Sequence, residues 1–228
     1  MRILAIDTAL EACSAAVLDT ESGHVTSESL PMVRGHAEAL MPLIARVMKQ
    51  AGLAFAALDR VAVTTGPGSF TGLRVGISAA RGIALAAGKP AIGLTTLAAY
   101  AAPHIAHDDT TAVAVAIDAR HQHVYLQIFA AGGRTQIAPR IASVADAVRS
   151  AAATAGAVRI VGTGATMLAT AWPSREPAPM QVEDRRAPDI VWIARLGIAA
   201  ETNAEPPKPL YLRAPDAQPQ DASRLPRR

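Results

Sequence analysis

Two stretches of this chain begin alike. Leu4-Ala5-Ile6-Asp7 and Val115-Ala116-Ile117-Asp118 are each a short apolar run closed by an aspartate. Residues 2–7 are followed by strand candidates at 12–19 and 24–30, with the turn signal Glu21-Ser22-Gly23 between them. Residues 112–118 are followed in the same way by candidates at 123–130 and 134–141. Three closely spaced strands predict an antiparallel meander. Its recurrence points to an internal duplication, and so to two α/β lobes with mixed sheets.

Helical periodicity fills the spaces between strands. Over residues 35–51, Ala37, Leu40, Met41, Ile44, Val47, Met48 and Ala51 fall at helical spacing, and Gly52 ends the pattern. Leu43 and Ala39 widen the stripe beyond what contact with one core requires. Pro42 lies inside this helix and should kink it. Residues 60–64 read as a strand, 73–87 as a second helix stopped by Gly88-Lys89-Pro90, and 91–94 as a strand. In the second half, 143–154 read as a helix, 158–161 as a strand running into Gly162-Thr163-Gly164, and 189–201 as a last helix with Pro188 near its first turn. The expected division is a first lobe over 1–101, a smaller second lobe over 102–213, and a disordered Pro- and Arg-containing tail over 214–228.

Composition narrows the class of function. Half of the 228 residues are hydrophobic, which permits a substantial core, and only 4% are aromatic, which disfavours a base-stacking platform. Lys and Arg number 22 against 19 Asp and Glu, too even a balance for a surface that grips a phosphate backbone alone. Cys13 is the only cysteine, so no intrachain disulfide can form, and a reducing compartment is expected. Asp7 interrupts the first apolar run too early for a secretory segment, and no uncharged run reaches membrane-spanning length. These features lead us to expect a soluble, cytoplasmic protein.

The chemistry-bearing candidates are few. Asp7, with Thr8 after it, and Asp118 stand at strand ends, where a carboxylate either holds a metal–phosphate or caps a turn. Gly66-Pro67-Gly68-Ser69-Phe70-Thr71-Gly72 joins a strand to a helix. Its glycines would let backbone approach a ligand, with free helix N–H groups facing an anion. Neither the P-loop nor the dinucleotide spacing is met, and the competing reading is a structural turn. Gly162 and Gly164 form a further glycine turn that either faces a nucleoside or simply connects elements. The nucleotide-contact candidates, even if vestigial, are therefore Asp7, Thr8, Gly66, Gly68, Ser69, Asp118, Gly162 and Gly164. His36 and Glu38 are too few for a metal site, and His104, His107, His121 and His123 show no helical His pair. Cys13 reads as an inert core thiol.

Several of these motifs together resemble the TsaB (YeaZ) family. They are Ile6-Asp7-Thr8, Arg34 through Pro42, Gly66 through Gly76, Asp118-Ala119-Arg120 with Val124-Tyr125, and Pro209-Leu210-Tyr211-Leu212-Arg213. The resemblance implies an actin/hexokinase-like fold of two ribonuclease-H-like lobes. It implies a part in forming threonylcarbamoyladenosine beside the anticodon of tRNA. It also implies a TsaD-type paralogue that catalyses the transfer and holds the metal, a TsaE-type ATPase that joins them, and homodimers when the chain is alone. ATP and metal would be used by the complex, with no cofactor of this chain's own, and tRNA would be met only through the complex. The paralogue carries its metal on a His-x-x-x-His helix, and the aligned positions here are Thr96 and Tyr100, so a non-catalytic subunit is expected.

The broad stripe of the first helix and the small residues Gly76, Ala79, Ala80 and Ala84 of the second suggest a helical interface. Its candidates are His36, Leu40, Met41, Ile44, Val47, Arg74, Ile77 and Ile83, which divide between core and interface. Two other readings stay open: a stand-alone ATP-dependent phosphotransferase of this fold, and a metallopeptidase.

Overall fold

A computed structural model of the chain describes residues 1–202 and 205–213, so the expected tail over 214–228 lies outside the described residues. The first meander is present as β1 (Arg2–Asp7), β2 (Ala12–Asp19) and β3 (Val25–Pro31), antiparallel throughout. Helix α1 (His36–Gln50) then crosses to β4 (Arg60–Gly66), which pairs in parallel with β1. Helix α2 (Phe70–Ala87) leads to β5 (Ala91–Thr95), parallel to β4. The sheet order is β3-β2-β1-β4-β5.

The second half repeats this path. Strands β6 (Ala112–Asp118), β7 (His123–Phe129) and β8 (Thr135–Ser143) form the meander. Helix α4 (Val144–Ala152) crosses to β9 (Val158–Val161), and α5 (Ala165–Thr170) leads towards β10 (Gln181–Glu183). The order β10-β9-β6-β7-β8 is that of the first sheet read from the other edge, with β6 in the place of β1. The duplication is thus topological, and the two lobes have the expected actin-like architecture.

Alternation along the strands assigns the layers. Leu4 and Ile6 face α1 and α2, where they meet Leu43, Val47, Leu73 and Ala80. Ile3 and Ala5 face the other way, onto Ile190, Ile193 and Ala194 of α6 (Ile190–Ala199). In the second sheet Ala114, Ala116, Leu126 and Ile128 face α4 and α5. Its opposite face, with Val113, Val115 and Ile117, packs on Leu97, Tyr100 and Ala101 of α3 (Thr96–His107).

Helix α1 runs through Pro42 as one element, as expected, with the proline on its exposed side. Three features differ from expectation. Helix α2 begins at Phe70 rather than Leu73, because the Ser69 hydroxyl caps it by accepting from the Gly72 N–H at 3.3 Å. Helices α3 and α5 and strand β10 were not anticipated, since the first is apolar nearly all round and the others are very short. The expected second lobe over 102–213 also needs correction, because α6 and the segment after it return to the first lobe. Arg60 fastens this return: its guanidinium donates to the carbonyls of Gly197 (2.9 Å), Ile198 (3.2 Å) and Ala200 (3.0 Å) at the C-terminus of α6. A cation there satisfies carbonyls the helix leaves open. Replacing Arg60 with Met should lower the unfolding free energy by about 1.5–3 kcal/mol, measured by urea denaturation.

Candidate functional site

The glycine turn after β4 meets the hairpin turn after β1. Thr8 donates its hydroxyl to the Gly72 carbonyl at 2.7 Å, and the Ser69 N–H donates to the Ala9 carbonyl at 2.7 Å. A Cβ at Gly68 would lie 2.3 Å from the Ala9 carbonyl oxygen, and one at Gly72 would lie 2.1 Å from that of Thr8. The glycines therefore permit close approach, but what approaches is the chain's own hairpin. Gly66 borders the same junction, with its neighbour Thr65 accepting from the Leu210 N–H at 2.7 Å.

Asp7 is fully buried beneath this junction. Its Oδ1 accepts from the Ala9 N–H at 3.1 Å and from the Thr64 hydroxyl, while Oδ2 has no hydrogen-bond partner among the described residues. Burial pushes its carboxyl above the ordinary value of 3.8, against the lowering effect of those donors and of nearby His36. Cys13 is buried on β2, and burial pushes its thiol up to about 11, which matches an inert core thiol.

The equivalent corner of the second lobe is more open. Asp118 is exposed, its Oδ1 accepting from the Arg120 N–H at 2.7 Å, and its own N–H donates to the Thr163 hydroxyl at 3.0 Å. The Gly162 N–H donates to the Glu183 carbonyl at 3.0 Å and the Gly164 N–H to the Ala116 carbonyl at 2.9 Å. Here too the glycine turn is occupied by neighbouring backbone.

The aligned paralogue ligand positions both lie on α3. Thr96 is fully buried, and Tyr100, 2% exposed, donates its hydroxyl to the Arg185 carbonyl at 2.7 Å. Burial raises the Tyr100 phenol well above its ordinary range. Among the described residues no cluster of three His, Cys, Asp or Glu side chains is arranged to hold a metal ion. His104 lies 3.7 Å from Glu183, and burial lowers its pKa.

The interface candidates separate sharply. Leu40, Ile44, Val47 and Ile77 are no more than 3% exposed and belong to the core between the helices and the first sheet. Of the candidates expected to divide between core and interface, these four fall to the core: the stripe is broad because it serves the sheet and the neighbouring helix together. His36 is buried, with Nε2 3.1 Å from the Leu10 carbonyl oxygen, and Ile83 is half-buried. Met41, at 49% exposure, and Arg74 face outward. Sequence reasoning missed two further members of this surface. Phe70 and Tyr211 stack at 5.3 Å, and the Arg74 guanidinium lies 3.8 Å over the Phe70 ring, with its Nε donating to the Tyr211 hydroxyl at 3.2 Å. The signal was available in Phe70 and Arg74, one helical turn apart, but the contact with Tyr211 spans 137 residues of sequence.

Two expectations follow. Ile44→Ala should cost about 2–5 kcal/mol in denaturant unfolding, whereas Met41→Ala should change stability by less than ~0.5 kcal/mol. Because the folded state favours neutral Asp7, this group's contribution to stability is greatest below its unfolded value and is lost as pH rises towards the raised folded value. Asp7→Asn, which keeps the Oδ1 acceptor, should therefore raise the melting temperature at neutral pH. That advantage should disappear as pH falls below 3.8.

Comparison with known proteins agrees with this architecture. The family model described as "TsaD: tRNA N6-adenosine threonylcarbamoyltransferase" matches residues 30–172. The tRNA threonylcarbamoyladenosine biosynthesis protein TsaB of Escherichia coli is 41% identical over 125 residues, 55% of this chain and 53% of that protein. The chain thus spans about half the length of the TsaB relatives it matches. An uncharacterized protein of Mycobacterium tuberculosis is 36% identical over 222 residues, covering 95% of this chain and 94% of its own length. The structure of YeaZ from Pseudomonas aeruginosa superposes with a TM-score of 0.74 at 28% identity, over 92% of this chain and 99% of that one. On the family match, the aligned relatives and the shared fold, the chain belongs to the TsaD-type family, among its TsaB (YeaZ) members.

Proposed function

We propose that this chain is a non-catalytic subunit that pairs with a TsaD-type paralogue, and with a TsaE-type ATPase, to form N6-threonylcarbamoyladenosine beside the anticodon of tRNA. The observation that carries this reading is the fate of Thr96 and Tyr100. Thr96 is fully buried, and Tyr100 is packed into the core between α3 and the second sheet with its hydroxyl committed to a backbone carbonyl. Imidazoles there would have to displace that packing before they could reach a metal. The closed glycine turn supports the same reading, because its backbone already contacts the β1–β2 hairpin. Asp7, Thr8, Gly66, Gly68 and Ser69 then act as inherited scaffold. Asp118, Gly162 and Gly164 do the same in the second lobe.

On this reading the chain needs no cofactor of its own, and the ATP and metal belong to its partners. It meets tRNA only within the complex, and it works in the cytoplasm. Among the described residues no helix is long and apolar enough to cross a membrane. The outward part of the α1–α2 face, around Met41 and Arg74, is the docking surface, and in isolation it would pair with a second copy. The activating role consists of holding the paralogue in its working form.

Mixing the purified chain with its TsaD-type paralogue should give a one-to-one complex by light scattering. The chain alone should show neither ATP turnover nor bound metal. ATP hydrolysis by the chain alone, with no complex formed, would overturn the proposal in favour of a phosphotransferase.

A further inference from the structure

The second lobe carries a strained turn. Arg120, His121 and Gln122, between β6 and β7, all have left-handed backbone, with φ of 63°, 52° and 58°. A Cβ disfavours that conformation, and three such residues in succession are uncommon. All three are exposed, so side-chain packing does not hold them there. Backbone bonds do. The Ala119 N–H donates to the His123 carbonyl at 2.9 Å, the His123 N–H to the Arg120 carbonyl at 3.1 Å, and the Val144 N–H to the Gln122 carbonyl at 3.0 Å. The Ala119 carbonyl in turn accepts from the Arg213 guanidinium at 3.0 Å. Strained backbone persists only where its surroundings over-determine it.

Arg213 belongs to a strap, residues 205–213, that is fastened along the first lobe. Pro207 lies against Gly93, where an added Cβ would come within 3.1 Å of the proline Cβ, and the Leu210 N–H donates to the Thr65 carbonyl at 2.7 Å. Tyr211 then stacks on Phe70 at 5.3 Å and accepts from the Arg74 Nε at 3.2 Å, at the N-terminal end of α2. Arg213 follows two residues later. Two residues of chain reach at most about 7 Å, so little slack remains to absorb a shift of the Tyr211 anchor before it arrives at Arg213. The anchor is open to the outside: Tyr211 is 43% exposed and Arg74 faces outward. One short run of chain therefore joins the outer end of α2 to the strained turn of the other lobe.

We propose that residues 205–213 are a relay strap: the Phe70–Arg74–Tyr211 cluster of the first lobe sets, through Arg213, whether the 120–122 turn of the second lobe keeps its left-handed form. A partner that engages the Arg74 guanidinium fixes this cluster and so tightens the turn; that part rests on the subunit reading above. Arg74, Tyr211 and Arg213 are positioning residues, and the turn beside Asp118 is what they position.

Hydrogen exchange of the full chain tests the relay, read at the Ala119, His123 and Val144 amides. Tyr211→Ala and Arg74→Met should each lower protection there by about tenfold, and Arg213→Met should do the same from the other end. Amides of the central strand β1 should keep their protection. Adding His121→Gly to Tyr211→Ala should restore the turn to within about threefold of wild type, because glycine takes the left-handed form without a Cβ penalty. General loosening of the lobe would not be repaired by that change. Unaltered protection in Arg213→Met, or in both first-lobe variants, overturns the inference, as does a loss that His121→Gly fails to repair. If Tyr211→Ala does not fold, Arg74→Met, at an exposed position, carries the first-lobe arm and the rescue. Adding the TsaD-type paralogue should raise protection of the turn in the wild type and not in Arg213→Met. A complex that leaves the wild-type turn unchanged overturns the relay from partner to turn. If no complex forms, the subunit reading fails, and the variants of the chain alone still decide whether the strap governs the turn.

Discussion

Helix α3 is shared by both lobes. Ala99 packs into the layer between α6 and the first sheet, while Leu97, Tyr100 and Ala101 pack against Val113, Val115 and Ile117 of the second sheet. Coverage on two sides accounts for the near-uniform apolar sequence up to Ala102, and the histidines His104 and His107 come only in the less covered last turn. The two lobes are therefore joined by a packed layer as well as by connecting chain. Any chemistry at this position would compete with the packing that holds the lobes together.

The same economy governs the corner beneath the glycine turn. In a nucleotide-binding protein such a turn leaves its N–H groups free for phosphate. Here the Ser69 N–H is taken by the Ala9 carbonyl, the Thr8 hydroxyl by Gly72, and the Asp7 carboxyl sits below with one oxygen unpartnered among the described residues. In the first lobe this turn serves as a joint between a hairpin and a helix. Its counterpart in the second lobe keeps an exposed aspartate beside a similarly closed turn.

Much of the architecture was legible because it rests on local signals. The paired Leu-Ala-Ile-Asp and Val-Ala-Ile-Asp runs marked the central strand of each sheet, and the turn residues after them marked the meanders. What escaped notice depends on contacts between distant residues. Periodicity placed Leu40, Ile44, Val47 and Ile77 on apolar stripes without showing that sheet and sister helix consume those stripes entirely. The brevity of β10 and α5 left too few residues for any period to register. The glycine turn was recognised as unusual, but whether a ligand or the hairpin fills the space beside Gly68 and Gly72 is a question of tertiary structure.

The return of the chain to the first lobe has a bearing on how the protein is made. The face of the first sheet formed by Ile3, Ala5, Ala16, Leu18 and Ala62 is covered by α6, whose residues follow the whole second lobe in sequence. The segment after α6 then runs past Gly93 at Pro207, bonds to Thr65 at Leu210, and reaches the second lobe where Arg213 donates to the Ala119 carbonyl at 3.0 Å. As the chain leaves the ribosome, the strands of the first sheet emerge before the second lobe, and their second apolar face stays uncovered until α6 has been synthesised. Closure of the first lobe's core thus waits on chain that follows the second lobe.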